Sequence, residues 1–260
     1  MKRIFFCFLT VFSCLSLWGK IVEINNIEEV YNYLTPNDLV IFDIDNTLVE
    51  PVQTMGSNQW FEYLKKKYLE EKKSPKQAFD KAYKQWLKVQ NVTEFKLVEE
   101  EKTRQLISNL QKKKQEVMGL TTRGLCLSCS TIDRLKQLGI YLEKTAPSKK
   151  SMFFLNPLEV LYSEGILFTN GTNKETVFLQ FFSLIGKFPS SVIFINDNKK
   201  HLEQVEKACE KKKISFIGLR YGYLDEKVKN FRADIAEKQY EEFDKILSDK
   251  EAETKLKQKK

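Results

Sequence analysis

The sequence is poor in histidine, in cysteine and in long apolar runs. Its single histidine, His201, excludes a histidine-rich metal site. Three of the five cysteines follow the first 19 residues, and the close pair Cys126 and Cys129 lacks the second pair or nearby histidine that would complete a zinc site. We interpret that pair as a small local disulfide or as two buried thiols at a helix start. Beyond residue 19 no run approaches the roughly 20 apolar residues of a membrane-spanning helix, so we expect a soluble mature chain.

The N-terminal segment has the character of a secretory signal peptide. Two basic residues at positions 2 and 3 precede an apolar run, residues 4–18, that is too short to span a membrane. Gly19 suits the last position before cleavage, which assigns residues 1–19 to the signal peptide, and lipid attachment at Cys14 is the less favoured alternative. The expected destination of the mature chain is therefore the periplasm or the exterior of the cell.

The chain is basic, with a formal net charge of +8. Much of this charge lies in lysine-rich helical segments and in a charged tail, residues 249–260, where acids are interleaved with the lysines. We interpret these segments as solvated helix faces and a frayed end, in preference to a surface for nucleic acid or anionic lipid. The pattern indicates no particular oligomeric state.

The chain alternates buried-strand patterns with helical patterns. Apolar runs rich in β-branched residues, typical of strands that are buried on both faces, recur with helix-like segments between them. They are residues Asp38–Phe42, Val117–Leu120, Ser191–Ile195 and Ile214–Leu219. Residues 160–167 instead resemble a hairpin with a Ser-Glu-Gly turn. The sequence therefore predicts an α/β fold, an open and mostly parallel sheet flanked by helices, over residues 20–248.

A long helical stretch separates the first two of these strands. Ser74 and Pro75 are typical of a helix start, and Phe79, Tyr83 and Trp86 then recur at helical spacing. We interpret this aromatic stripe as packing and not as a ligand site. A second amphipathic helix is predicted over residues 97–110. Together these helices are predicted to form an insertion, at about residues 53–112, that lies over the ends of the strands.

Two aspartates follow the first buried strand directly. Asp43 and Asp45 are one residue apart, so their carboxylates repel each other unless a cation compensates, and Mg²⁺ prefers such oxygen ligands. Asp43 is the candidate nucleophile that attacks phosphorus, and Asp45 the candidate acid and base that serves the leaving oxygen and then water. A turn rich in aspartate and asparagine would explain Asp45 and its neighbours but not Asp43 at the strand end.

The segment FDIDNTLV, residues 42–49, resembles the first motif of the haloacid dehalogenase (HAD) superfamily. In that superfamily the second aspartate is typical of phosphatases and phosphomutases, so Asp45 implies phosphoryl transfer. The resemblance also implies a Rossmann-like sheet and a helical cap, inserted after the first catalytic strand, that selects the substrate. The fuller pattern, with its signal peptide, resembles an uncharacterised secreted bacterial family of the HAD type.

Two later segments resemble the second and third motifs of this superfamily. After the second strand, Thr121 is the candidate ligand of the phosphoryl group and Thr122 the alternative, while Arg123 either supports the phosphate or forms a surface salt bridge. Lys174, at a helix start, resembles the lysine that neutralises phosphate and nucleophile. Family members often have glycine after this lysine whereas Glu175 follows here, so a lysine at position 149 or 150 stays an alternative.

The fourth motif is incomplete. Where the superfamily usually has two acids, this chain has Asn196 and Asp197. The resemblance implies that Mg²⁺ is held by Asp43, Asp45 and Asp197, with the carbonyl oxygen of Asn196 as a further ligand. For His201, one turn into the next helix, a capping or surface role is preferred to catalysis.

The leading hypothesis is a Mg²⁺-dependent phosphatase that acts through an aspartyl-phosphate on Asp43. Its expected substrate is a phosphorylated small molecule, with a phosphoprotein or phospholipid as alternatives. A secreted binding or effector protein of the same fold, with little or no turnover, is the competing hypothesis, because Asn196 and Glu175 depart from the motifs.

Overall fold

Eight strands form one central sheet in the computed structural model, which describes residues 19–258. The strands within this range are β1 (Lys20–Ile24), β2 (Leu39–Phe42), β3 (Val49–Pro51), β4 (Phe95–Leu97), β5 (Glu116–Thr121), β6 (Met152–Asn156), β7 (Leu158–Ser163), β8 (Ile166–Phe168), β9 (Ser191–Asn196) and β10 (Ser215–Tyr221). The sheet order is β1-β10-β9-β2-β5-β8-β7-β6, and β3 and β4 form a separate antiparallel pair. In this spatial order, the strands from β1 through β10, β9, β2 and β5 to β8 pair in parallel. The pairs β8–β7 and β7–β6 are antiparallel. The predicted α/β class is confirmed.

Most of the α-helices lie between strands in the sequence, and the last three follow β10. Within residues 19–258 the α-helices are α1 (Asn58–Glu70), α2 (Pro75–Gln90), α3 (Glu100–Lys112), α4 (Ser128–Gln137), α5 (Lys174–Leu184), α6 (Lys199–Lys212), α7 (Asp225–Lys229), α8 (Ala233–Glu241) and α9 (Asp249–Gln258). The predicted start at Ser74 is present, since its side chain accepts a hydrogen bond from the backbone of Gln77 and the Gln77 side chain bonds back to the Ser74 backbone. None of the described helices has both the length and the apolar composition that crossing a bilayer requires.

Strand β2 lies between two hydrophobic layers. Val40 and Phe42 join the core on one side of the sheet, and Leu39 and Ile41 join the core on the other, so all four strand residues are buried. Side chains alternate across a strand, so a continuous apolar run is what burial on both faces requires. The residues that follow β2 are therefore held at a fixed point of the sheet edge.

The predicted hairpin after β7 is also present. Strands β7 and β8 pair antiparallel around Glu164 and Gly165, which have φ values of 46° and 77°. A side chain at Gly165 would place its Cβ 2.7 Å from the backbone carbonyl carbon of Leu142, so glycine is required there by both conformation and space.

The structure divides the stretch predicted as a cap differently. Helices α1 and α2 pack on each other around Trp60, Leu64 and Trp86 and form a helical cap. Helix α3 covers the central sheet instead, because its Leu106 and Leu110 belong to the same core as Val40 of β2. The amphipathic pattern of α3 identifies an apolar face without identifying what that face covers.

The charged tail is a docked helix where the sequence predicted a frayed end. In α9 the side chain of Ala252 is fully buried, and Asp249 accepts hydrogen bonds from the backbone nitrogen and hydroxyl of Thr54, at 2.8 and 2.7 Å. The last two lysines of the chain lie outside the described residues. So does the predicted signal peptide, apart from Gly19.

The structure contradicts both interpretations of the Cys126–Cys129 pair, the local disulfide and the two buried thiols. Both thiols are free and exposed, one just before α4 and one in its first turn, while Cys209 is free and buried. The pair is thus neither a disulfide nor two buried thiols.

Candidate active site

The predicted site residues follow three neighbouring strands. Strand β2 lies between β9 and β5, and because all three are parallel, the segments that follow them meet at one edge of the sheet. Asp43 and Asp45 follow β2, Thr121 and Thr122 come at the end of β5, and Asp197 follows β9.

Lys174 pairs directly with Asp43. Its Nζ lies 2.8 Å from Oδ1 of Asp43 and also donates to the backbone oxygen of Leu120 at 2.7 Å. The lysine is fully buried and the aspartate 6% exposed, so the ion pair is shielded from water. The alternative lysine, Lys149, is exposed and donates to the backbone oxygen of Lys144, and Lys150 is exposed as well. The structure therefore brings Lys174, and neither alternative, to Asp43.

Two local features position Lys174. It is the first residue of α5, whose N-cap Asn173 accepts a hydrogen bond from the backbone of Glu175 at 2.7 Å. The side chain of Glu175, which departs from the third motif discussed above, pairs with Lys211 of α6 at 2.5 Å. This departure from the motif thus leaves the lysine in place.

Arg123 binds both carboxylate oxygens of Asp45. Its Nε donates to Oδ2 at 2.8 Å and its Nη2 to Oδ1 at 2.7 Å. The arginine is 4% exposed and also donates to the hydroxyl of Thr131, so the alternative of a surface salt bridge is wrong. A bidentate, buried pair of this kind fixes the orientation of a carboxylate more tightly than a single contact does.

Asp197 is held by the residues after Asp45. Asn46 donates from Nδ2 to Oδ2 of Asp197 at 3.1 Å, and the backbone of Asp197 donates to the hydroxyl of Thr47 at 3.2 Å. Asn46 has a φ of 57°, a left-handed conformation that asparagine tolerates better than most residues. The motif after β2 and the motif after β9 are therefore joined by hydrogen bonds.

The side chain of Asn196 makes a hydrogen bond that the sequence did not predict. Asn196 is fully buried, and its side-chain oxygen, predicted as a metal ligand, accepts a hydrogen bond from the backbone of Asn198 at 2.7 Å. Its Nδ2 is buried without a hydrogen-bond partner in the structure. The asparagine thus supports the turn that presents Asp197.

Burial is the largest influence on the pKa values of Asp43 and Asp197. It raises the pKa of the Asp43 carboxyl above its usual value, while the ammonium of Lys174 acts in the opposite direction. Burial and then the charge of Asp43 raise the pKa of Asp197 to about 7. Asp43 and Asp197 are therefore close enough to repel each other, and Lys174 does not fully compensate both.

The two threonines have different exposures. Thr121 is fully buried and its hydroxyl accepts a hydrogen bond from the backbone of Arg123 at 3.2 Å. Thr122 is exposed and lines the cavity described below. Thr122, the alternative phosphoryl ligand, therefore lies at the cavity surface. Thr121, the preferred candidate from the sequence, is buried and holds the backbone of Arg123.

A cavity of about 960 Å³ opens over these residues. The residues of the candidate site that line it are Asp43, Asp45, Thr122, Arg123 and Asp197. The cap contributes Asn58, Gln59, Phe61, Glu62, Phe79, Tyr83 and Trp86, and other segments contribute Leu158, Asn170, Gly171, Asn198, His201, Val228 and Phe231.

His201 lines this cavity, which the sequence did not anticipate. Burial and the charge of Lys174 lower the pKa of its imidazole to about 3, so it is neutral at physiological pH. Its Nδ1 is buried without a hydrogen-bond partner in the structure. The cap aromatics were likewise not assigned to the site from the sequence. Arg123 was assigned to it only as one of two alternatives, as a support for the phosphate.

The donor set fits a divalent cation in part. Asp43 is buried and Asp197 half-buried, and their carboxylates repel each other, as expected where a cation binds between them. The carboxylate of Asp45 is engaged by Arg123, and among residues 19–258 no group of three or more histidine, cysteine, aspartate or glutamate side chains is arranged to hold a metal. The structure therefore does not gather the three predicted carboxylates into one cluster.

Fold and site together define an α/β protein with a mostly parallel eight-stranded sheet, flanking helices and acidic residues at the carboxyl edge of the sheet. The chain belongs to the family described as "Protein of unknown function (DUF2608)", whose model matches residues 23–253.

Named relatives of the chain come from two groups of bacteria. A "Putative outer membrane protein" of Chlamydia trachomatis serovar D is 25% identical over 97% of this chain and 96% of its own length. A protein of Chlamydia pneumoniae with a similar name is 27% identical over 96% and 95%, and "Uncharacterized protein RP296" of Rickettsia prowazekii is 25% identical over 78% of each. Among solved structures, a hydrolase described as haloacid dehalogenase-like family protein SP0104 from Streptococcus pneumoniae has a TM-score of 0.44 and 15% identity, covering 71% of this chain and 95% of that one.

Proposed function

We propose that this protein is a Mg²⁺-dependent phosphatase that hydrolyses phosphate monoesters through an aspartyl-phosphate on Asp43. The observation that carries the proposal is the buried contact of 2.8 Å between Lys174 and Asp43, because Asp43 lines the same cavity as Asp45 and Asp197. An acid, its counter-ion and a proton-transfer group at one sheet edge are what phosphoryl transfer to a carboxylate requires.

The residues divide the chemistry in two steps. In the first, an oxygen of Asp43 forms a bond to phosphorus, the bond to the leaving oxygen breaks, and the carboxyl of Asp45 gives that oxygen a proton. In the second, a water oxygen attacks the phosphorus, its proton goes to Asp45, and phosphate leaves as Asp43 is restored. Lys174 offsets the negative charge that accumulates on the phosphoryl oxygens.

Asp43 and Asp197 are the residues that would hold Mg²⁺. Bound there, the cation would supply positive charge to the phosphoryl oxygens and relieve the repulsion between the two carboxylates. Thr122, exposed at the same edge, is the hydroxyl positioned to donate to the phosphoryl group.

Phosphate release from a generic aryl phosphate tests this function. Purified protein without residues 1–19 is expected to release phosphate with Mg²⁺, to lose the activity on chelation and to regain it when Mg²⁺ is restored. Asp43→Asn should abolish turnover, whereas Asp133→Asn, an exposed aspartate in α4, should leave it unchanged. Activity that survives Asp43→Asn would contradict the role of Asp43.

A binding protein without turnover is the second candidate. It is favoured by Asn196 in the fourth motif and by the engagement of Asp45 with Arg123. This candidate predicts that the wild-type protein binds phosphate or Mg²⁺ in calorimetry and yet turns over no member of a panel of phosphate esters.

We also infer that the protein is exported. The signal-peptide character of residues 1–19 supports export, as do the outer membrane names of the chlamydial relatives. Phosphorylated small molecules are the proposed substrates, and phosphoproteins or phospholipids are the alternatives.

A further inference from the structure

One side of the active-site cavity is made of aromatic rings from the cap. Phe61 of α1 and Phe79, Tyr83 and Trp86 of α2 form this surface, here called the aromatic wall. Phe79 and Tyr83 are stacked, with ring centroids 5.8 Å apart and planes 8° apart, and Tyr83 and Trp86 are stacked at 6.1 Å and 28°. Phe61 meets the edge of Phe79 at 5.7 Å. The rings thus form a continuous surface.

Packing explains only part of the aromatic wall. Trp86 is 6% exposed and belongs with Ala82 to the buried core of the cap. Phe79, one helical turn before Tyr83, is 46% exposed although it lies among other rings and lines the cavity. A large apolar side chain open to a cavity is typical of a binding surface, because burying it against a ligand recovers the cost of hydrating it.

The aromatic wall lies next to the segment that carries Arg123. A Cβ at Gly124 would lie 2.8 Å from the hydroxyl of Tyr83, so this ring end lies directly over the residue after Arg123. Arg123 in turn binds both oxygens of Asp45. Asp43 and the rings of Tyr83 and Phe79 line the same cavity, so a single ligand can contact both the acid and the aromatic wall.

The aromatic wall is also fixed relative to the core. Gln90, at the end of α2, is fully buried and donates to the backbone oxygen of Gly56 at 2.8 Å, and its own backbone oxygen accepts from Arg134 of α4 at 2.6 Å. The rings are therefore held in place before a ligand binds, which lowers the entropy cost of binding.

We propose that the organic part of the substrate carries a planar aromatic ring, which stacks on the aromatic wall while the phosphoryl group lies at Asp43. This inference rests on the proposed function. A cavity of about 960 Å³ is far larger than a phosphoryl group needs, and it is at the upper end of the volumes of small-molecule sites, roughly 300–1,000 Å³. An aromatic ring gains stacking geometry on Phe79 and Tyr83 in addition to burial, whereas a saturated group gains burial alone.

A matched pair of esters tests the inference. The esters 2-phenylethyl phosphate and 2-cyclohexylethyl phosphate have leaving alcohols of similar acidity and size, so they differ chiefly in the planarity of the ring. We expect the phenyl ester to have a KM about tenfold lower at similar kcat, which corresponds to stacking on one or two rings. Equal KM values for the two esters would exclude a ring close to the phosphate and leave the nucleotide pair described below to decide the inference.

Two variants test whether the preference for the phenyl ester depends on the aromatic wall. Phe79→Leu keeps an apolar side chain and removes the exposed ring, and should reduce the preference to less than about threefold. Phe153→Leu, an equally conservative change at an exposed phenylalanine on β6 outside the cavity, should leave the preference unchanged. A preference that persists in Phe79→Leu would place the ring elsewhere and overturn the assignment to the aromatic wall.

A second pair distinguishes two sources of the ring. Adenosine monophosphate carries its ring beyond a sugar, and ribose 5-phosphate is the same ester without the ring. A preference in this pair indicates a nucleotide, a preference in the phenylethyl pair alone indicates a ring close to the phosphate, and preference in neither overturns the inference.

Calorimetry separates this inference from the proposed function. Asp43→Asn should still bind 2-phenylethyl phosphate more tightly than the cyclohexyl ester, because the aromatic wall is untouched. If the wild-type protein shows the binding preference without turnover, the phosphatase proposal fails and the aromatic subsite stands. If turnover occurs without preference, the subsite fails and the phosphatase proposal stands.

Discussion

Arg123 binds the acid that would transfer the proton in both steps of the proposed reaction. Both oxygens of Asp45 accept hydrogen bonds from its guanidinium, so transfer of a proton to the leaving group requires one of these bonds to be released. The same two bonds hold the carboxylate in a single orientation, which favours the second step, in which Asp45 receives a proton from water.

Replacing Arg123 should therefore affect turnover more than substrate binding. Arg123→Met removes both bonds, and we expect kcat to fall about 100-fold with little change in KM, the size of effect that a misplaced proton-transfer group produces. Arg123→Lys, which keeps the charge, should restore part of the loss. Steady-state kinetics on one aryl ester measure this split, and far-UV circular dichroism checks that the variants are folded. A rise in KM at constant kcat would instead mean that Arg123 binds the phosphate.

The sequence located the acids of the site better than their partners. Asp43, Asp45 and Asp197 follow parallel strands, and parallel strands bring the residues after them to one edge. The direction of a long side chain such as Arg123 depends on which groups surround it after folding. For that reason the pattern left its role open between phosphate support and a surface salt bridge.

At the scale of elements, α9 is the least expected feature of the fold. It packs on α8, and Glu242, the residue after α8, accepts hydrogen bonds from Lys255 of α9 at 2.7 Å and from Lys245 at 3.0 Å. These lysines, together with Lys238, hold the pKa of Glu242 far below its usual range. A carboxyl whose pKa is lowered in the folded state stabilises that state above the unfolded pKa and loses the contribution as pH falls.

Acid should therefore loosen α9 before the rest of the chain. Protonation of Glu242 removes its bonds to the lysines, so we expect the hydrogen-exchange protection of α9 to decrease as pH falls below about 4.5, the usual pKa of glutamate. Glu242→Gln should show the reduced protection at neutral pH already, while Glu226→Gln, an exposed glutamate on α7, should behave as the wild type. Equal protection of α9 in Glu242→Gln and wild type at neutral pH would contradict this coupling.

Elements were predicted where local patterns suffice. The buried strands, the capped start of α2 and the hairpin of β7 and β8 each follow from a few adjacent residues. The edge strand β1 was not recognised, and α3 was assigned to the cap, because both assignments depend on which distant element lies alongside. Lysine-rich α9 was predicted as frayed since its one fully buried residue is the small Ala252.

At the scale of the whole molecule, the cap and the sheet are joined through Gln90. Its side chain bridges Gly56 before α1 and Arg123 after β5, with distances of 2.8 and 3.4 Å. The C-terminal segment adds a second connection, because Ala236 of α8 belongs to the hydrophobic core of the cap. A cap held at both ends argues for a preformed cavity and against a freely moving lid.

This arrangement predicts that cap and sheet unfold together. A mature chain that begins after residue 19 has two tryptophans, Trp60 and Trp86, and both lie in the cap, so their fluorescence reports the cap while circular dichroism reports the whole chain. We expect the two probes to give the same midpoint in urea.

Gln90→Ala should uncouple the two probes. It removes two hydrogen bonds, one to the backbone oxygen of Gly56 and one from Arg123. At about 0.5–1.5 kcal/mol for each bond, the loss is about 1–3 kcal/mol and falls on the junction between cap and sheet. The fluorescence midpoint should then move to lower urea than the circular dichroism midpoint, and Gln137→Ala, an exposed glutamine at the end of α4, should shift neither. Separate midpoints in the wild-type protein would show that the cap folds as an independent unit, and the cavity would then be shaped by ligand and not before it.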